Sequence, residues 1–77
     1  MNGLARLRKQ AELSQETVAA ALKIDRSAVS KWETEVAFPS TKNISRLASL
    51  YGCTIDDVFD AIFEQEEIRS NIKEATQ

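Results

Sequence analysis

The chain has 77 residues, with ten Lys and Arg, twelve Asp and Glu, no His and one Cys. That length allows one small domain, and 43% hydrophobic with 29% charged residues suits a soluble globular protein. A single Cys makes no internal disulfide, the lack of His excludes His/Cys zinc sites and His-based triads, and no apolar run reaches the ~20 residues of a membrane span.

No basic segment followed by an apolar stretch opens the sequence, so no signal peptide is read and a cytoplasmic location is expected. Charge is unevenly spread. Residues 1–46 hold eight basic and five acidic side chains, while residues 47–77 hold two basic and seven acidic. The overall charge of −2 therefore does not forbid a local basic face, although both halves also read as plain solvated surface.

The pattern is helical throughout, with two Gly, one Pro and no alternating β-branched run. Leu4, Leu7 and Ala11 predict a first helix from about Leu4 to Glu12. Ser14 reads as the N-cap of a second helix with Val18, Ala19 and Leu22 on one face. Lys23-Ile24 is a short turn, and Asp25 is expected to cap a third helix through its carboxylate, near the Ala28 N–H. That helix runs from Arg26 to about Thr34, with Val29 and Trp32 inward. Ser40 caps a fourth helix with Ile44, Leu47, Ala48 and Tyr51 inward, and Gly52 suits a left-handed closing residue. Thr54 with Asp57 resembles a capping box opening a fifth helix at Ile55, whose helical character can continue to about Ala75.

About three residues join the second and third helices, and the third opens with Arg26, Ser27 and Ser30 outward. Polar, flexible residues there suit insertion into a DNA major groove; an ordinary polar surface helix is the plain alternative.

From Leu4 to Phe59 the sequence resembles the helix-turn-helix domain of the phage repressor and Cro (XRE-type) family. The resemblance rests on Leu7-Arg8, Leu13-Ser14-Gln15-Glu16, Val18-Ala19 and the string Ile24-Asp25-Arg26-Ser27-Ala28-Val29-Ser30-Lys31-Trp32-Glu33. Pro39-Ser40, Leu47-Ala48 and Gly52-Cys53-Thr54-Ile55-Asp56 complete it. It implies an all-α, compact five-helix, lambda-repressor-like domain over residues 1–60, usually dimeric on double-stranded DNA, followed here by a helical extension over 61–77. It also implies that Gln15 anchors a phosphate and that Arg26, Ser27, Ser30 and Lys31 face DNA, with Arg26 a reader of guanine. Ser14, Thr17, Lys42 and Asn43 are candidate phosphate contacts. Arg8 and Glu33 are expected to form a structural ion pair fixing the first helix on the third, and Cys53 to be a buried hydrophobe.

Two features depart from the family pattern. Glu35 stands where Gly is usual, which strains it if the position needs a positive φ. Val36-Ala37-Phe38 replaces a stretch that is often basic, which should weaken phosphate binding, and Phe38 is free to pack on the domain or on a second subunit.

In the tail, Val58, Ala61, Gln65, Ile68, Ile72 and Ala75 have heptad-like spacing, and Ile62 and Phe63 add apolar surface. Ile68 and Ile72 are the candidate homodimer contact, against the alternative of a helix folded back on its own domain. The favoured function is a sequence-specific DNA-binding regulator, a repressor acting as a dimer on a palindromic operator and needing no cofactor. Antitoxins and restriction-system controllers would use the same domain. A protein-interaction module that has lost DNA binding is the reading from another class. The acidic cluster Asp56, Asp57 and Asp60 suits a helix N-terminus better than catalysis, so no enzyme is expected, and neither membrane nor small-molecule binding is evident.

Overall fold

The computed structural model describes residues 2–64. Five helices follow in order: α1 Gly3–Gln10, α2 Gln15–Leu22, α3 Arg26–Glu33, α4 Thr41–Tyr51 and α5 Ile55–Ile62. Local chemistry sets most starts. The side chains of Asn2, Ser14, Ser40 and Thr54 each accept from a backbone N–H of the first turn that follows. Thr54 and Asp57 form the expected capping box, with Asp57 accepting from the Thr54 N–H at 3.1 Å.

Asp25 differs from expectation. Its carboxylate makes no capping bond; its backbone carbonyl accepts from the Ala28 N–H at 3.0 Å, so main chain opens α3.

The helix ends share one device. After α1, α2, α3 and α4, a residue in the left-handed region turns the chain back, at Glu12 (φ 60°), Lys23 (φ 59°), Glu35 (φ 66°) and Gly52 (φ 68°). In each case the next N–H reaches five residues back: Leu13 to Arg8, Ile24 to Ala19, Val36 to Lys31 and Cys53 to Ala48. Glu35 does adopt the positive φ that would strain it, and α1 and α3 end at Gln10 and Glu33, short of the expected Glu12 and Thr34. Only Gly52 adopts this geometry without a Cβ penalty. Lys23→Gly is therefore expected to raise stability by about 0.5–1 kcal/mol, the gain being reduced by the freer unfolded chain, as a higher urea midpoint at unchanged slope.

The apolar stripes meet in one core of Leu4, Val18, Leu22, Val29, Trp32, Ile44, Leu47, Tyr51, Val58, Ala61 and Ile62, with Leu7, Ala28, Leu50 and Cys53 packed around it. Val58 and Ala61 are thus spent on the domain's own interior and cannot belong to an intersubunit seam; Ile62 is buried there too. Gln65, Ile68, Ile72 and Ala75 lie outside the described residues.

The helical character expected up to about Ala75 lies outside the described residues from 65 on, but within them α5 is shorter than expected. It ends at Ile62, and Phe63 and Glu64 are non-helical. A residue distant in sequence meets this end: Asn2 donates its amide to the Ile62 carbonyl at 3.2 Å, one of the acceptors a helix end leaves open. Arg6 holds the Glu64 carboxylate at 2.6 Å, turning the chain back over α1. Gly3 permits this closeness, since a Cβ there would stand 3.0 Å from the Ala61 Cβ.

Candidate nucleic-acid interface

Three residues, Lys23 to Asp25, connect α2 to α3 and make the paired-helix unit the spacing predicts. The unit is locked from beneath. Arg8 donates from Nε to Glu33 Oε2 at 2.7 Å and from Nη2 to Glu33 Oε1 at 3.1 Å. Its Nη1 donates to the Leu13 carbonyl at 2.9 Å. Glu33, 1% exposed, also accepts from Gln15 Nε2 at 2.9 Å. One carboxylate at the end of α3 thereby gathers α1 and the start of α2. The Arg8–Glu33 pair is as expected, and its bidentate geometry is what makes a buried ion pair tolerable. The bond to Glu33 raises the Arg8 pKa despite burial.

The Gln15 bond was not anticipated. One N–H of its amide is committed to Glu33, leaving the second N–H as the donor that can point outward at the mouth of α2. Beside it, the Ser14 hydroxyl accepts from the Thr17 N–H at 3.0 Å and lies 2.9 Å from the Thr17 hydroxyl. Both side chains are exposed.

On the outer side of α3, Arg26, Ser27 and Lys31 are exposed, as the groove-facing assignment requires. Ser30 is half-buried, and Thr34 donates back to its carbonyl, so it is less open than expected. Ala28 is half-buried. Lys23, Ser27, Ala28, Lys31, Trp32 and Ala37 line a single open depression beside the turn. At the start of α4, Lys42 is exposed, and the Asn43 N–H is held by the Ser40 hydroxyl at 3.3 Å. The Val36-Ala37-Phe38 stretch carries no charge to this face; Val36 and Phe38 are 71% and 58% exposed.

Phe38 instead stacks on Phe63, with ring centroids 5.7 Å apart, and Phe63 meets Phe59 at 5.1 Å. Sequence reading missed this cluster because Phe38 and Phe63 are 25 positions apart. It also missed Asn2, whose signal was a helix-capping residue type just ahead of the first apolar repeat. Cys53 is half-buried on the core, and burial, then the charge of Asp57, push its thiol up, away from nucleophilic character. Burial likewise raises the Tyr51 phenol, with the Glu33 charge adding to it. Among the described residues no cluster of His, Cys, Asp or Glu suits a metal ion, and no helix is long and apolar enough to cross a membrane.

The sequence model of the helix-turn-helix family matches residues 4–58. The HTH-type transcriptional activator BcrR of Enterococcus faecalis is 31% identical over 74 residues, covering 91% of this chain and 36% of that protein. The chain thus spans about a third of the length of this curated relative. No solved structure matches it.

Proposed function

The chain belongs to the helix-turn-helix family, and on that premise we propose that it regulates transcription by reading double-stranded DNA with α3. The observation that carries this reading is the exposed row Arg26, Ser27 and Lys31 on a helix held rigidly by the Arg8–Glu33–Gln15 network. Rigid support matters because base readout needs side chains delivered in register. Gln15, Ser14 and Thr17 at the mouth of α2, and Lys42 and Asn43 at that of α4, supply phosphate contacts. With Val36-Ala37-Phe38 uncharged, few phosphates are neutralised, so the salt dependence is shallow.

The protein acts as a homodimer on a palindromic operator. Supporting this is the Phe38–Phe63–Phe59 cluster, an apolar face next to the last described residue, Glu64, after which the chain continues through Ile68 and Ile72. Phe38→Asp with Phe63→Asp is expected to give a monomer by light scattering. A dimer that persists would place the contact on Ile68 and Ile72.

Occupying a promoter is enough for repression, and that is the regulatory role proposed. Activation is the second reading, favoured by the printed name of the BcrR relative. Selection from a random duplex library, with a reporter carrying the recovered site, tests both. An enriched palindrome with half-sites about one helical turn apart supports the dimeric reader. A folded protein that enriches nothing overturns it in favour of a protein-interaction module.

A further inference from the structure

Asn2 is followed by Gly3, and both residues are fixed by packing. Asn2 is 5% exposed, and its side chain is fully used. Oδ1 accepts from the Leu4 N–H at 3.0 Å, while Nδ2 donates to the Trp32 carbonyl at 2.9 Å and to the Ile62 carbonyl at 3.2 Å. Its own N–H donates to the Glu33 carbonyl at 3.1 Å. One residue therefore ties α1 to the ends of α3 and α5. Gly3 is set by its closeness to Ala61. The packing thus uses an amide followed by a residue at which a Cβ would crowd Ala61, and Asn-Gly is the pair least able to resist intramolecular attack on the amide carbon.

We propose that Asn2–Gly3 is a self-modification site that folding holds closed, and that its conversion permanently releases the clamp on α3 and α5. The Gly3 nitrogen attacks the Asn2 side-chain carbonyl carbon. A new N–C bond forms, the C–NH2 bond breaks, and ammonia leaves with the Gly3 amide proton, giving a five-membered imide. Water then opens the ring at either carbonyl, leaving an aspartyl or isoaspartyl residue. The net exchange is one water in and one ammonia out, with no oxidant or reductant.

In the folded chain three hydrogen bonds hold the Asn2 amide in the capping pose, and burial excludes water. Reaction therefore requires the N-terminal turn to open. The product cannot close it again as before. An oxygen replaces the nitrogen that faced two carbonyls, so donors become a buried acceptor set against acceptors, and the isoaspartyl form also lengthens the main chain. Each opening that reacts is recorded covalently. The inference is independent of what α3 binds.

The test holds the purified chain at mildly alkaline pH, folded or in concentrated urea, and follows the tryptic peptide 1–6 by mass for replacement of NH2 by OH. Asn43 and Asn71, each followed by Ile, are internal controls. The expected result is accumulation at Asn2 ahead of both controls in urea, and conversion at least about tenfold slower in the folded protein. Equal rates in the two states overturn the protection. Asn2→Asp, a mimic of one product, is expected to melt roughly 10 °C lower; an unchanged melting temperature overturns the loss of the clamp.

Discussion

Glu33→Ala is expected to lower the unfolding free energy by about 3–5 kcal/mol, a large share of the ~5–15 kcal/mol available to a small domain. The loss comes less from the missing attraction than from what remains. Arg8 stays 9% exposed with two of its three bonded contacts gone, and Gln15 loses its acceptor. Urea unfolding followed by the fluorescence of Trp32, the single tryptophan and buried one residue away, reads this directly. Arg8→Met combined with Glu33→Leu should recover most of the loss, because replacing both partners leaves no buried charge. Gln15→Ala removes one neutral donor and should cost about 1 kcal/mol. If Glu33→Ala melts like the parent, the network is not what holds α1, α2 and α3 together.

Arg26→Ala should reduce binding to the selected site by about 1–3 kcal/mol and relax preference at one base position, with the melting curve unchanged. The side chain is exposed in the first turn of α3, where its loss opens no cavity. Lys42→Ala is the contrast. A phosphate contact should weaken all sequences about equally and reduce the salt slope by about one unit. Titration of the selected site and a scrambled duplex at several salt concentrations separates the two effects. An Arg26→Ala chain that binds the selected site as tightly as the parent would remove Arg26 from base readout.

What was legible in the sequence was short-range. The caps at Ser14, Ser40 and Thr54, the closing Gly52 and the inward stripes of α2 and α4 depend on residues within one or two turns, and all stand where spacing places them. Asp25 shows the limit even there, since its carbonyl and its carboxylate compete for the same N–H and residue type does not decide between them. The contact that meets the end of α5 was beyond reach because its donor, Asn2, is 60 positions away. Arg8 with Glu33 was foreseen only through family resemblance; helical spacing alone gives no reason to join them. The Gln15 bond to Glu33 and the stacking of Phe38 on Phe63 arise from tertiary proximity and leave no periodic trace.

Among the described residues, Glu12, Lys23 and Glu35 hold a backbone geometry better suited to glycine. In mutational terms such corners are reserves, and Lys23 is one substitution from a gain. A lineage changing its target must alter α3, where new outward residues tend to cost stability. Such a chain can first relieve a strained corner and then tolerate the change. Variants with altered base preference should therefore be recovered more often from a library built on Lys23→Gly than from the parent.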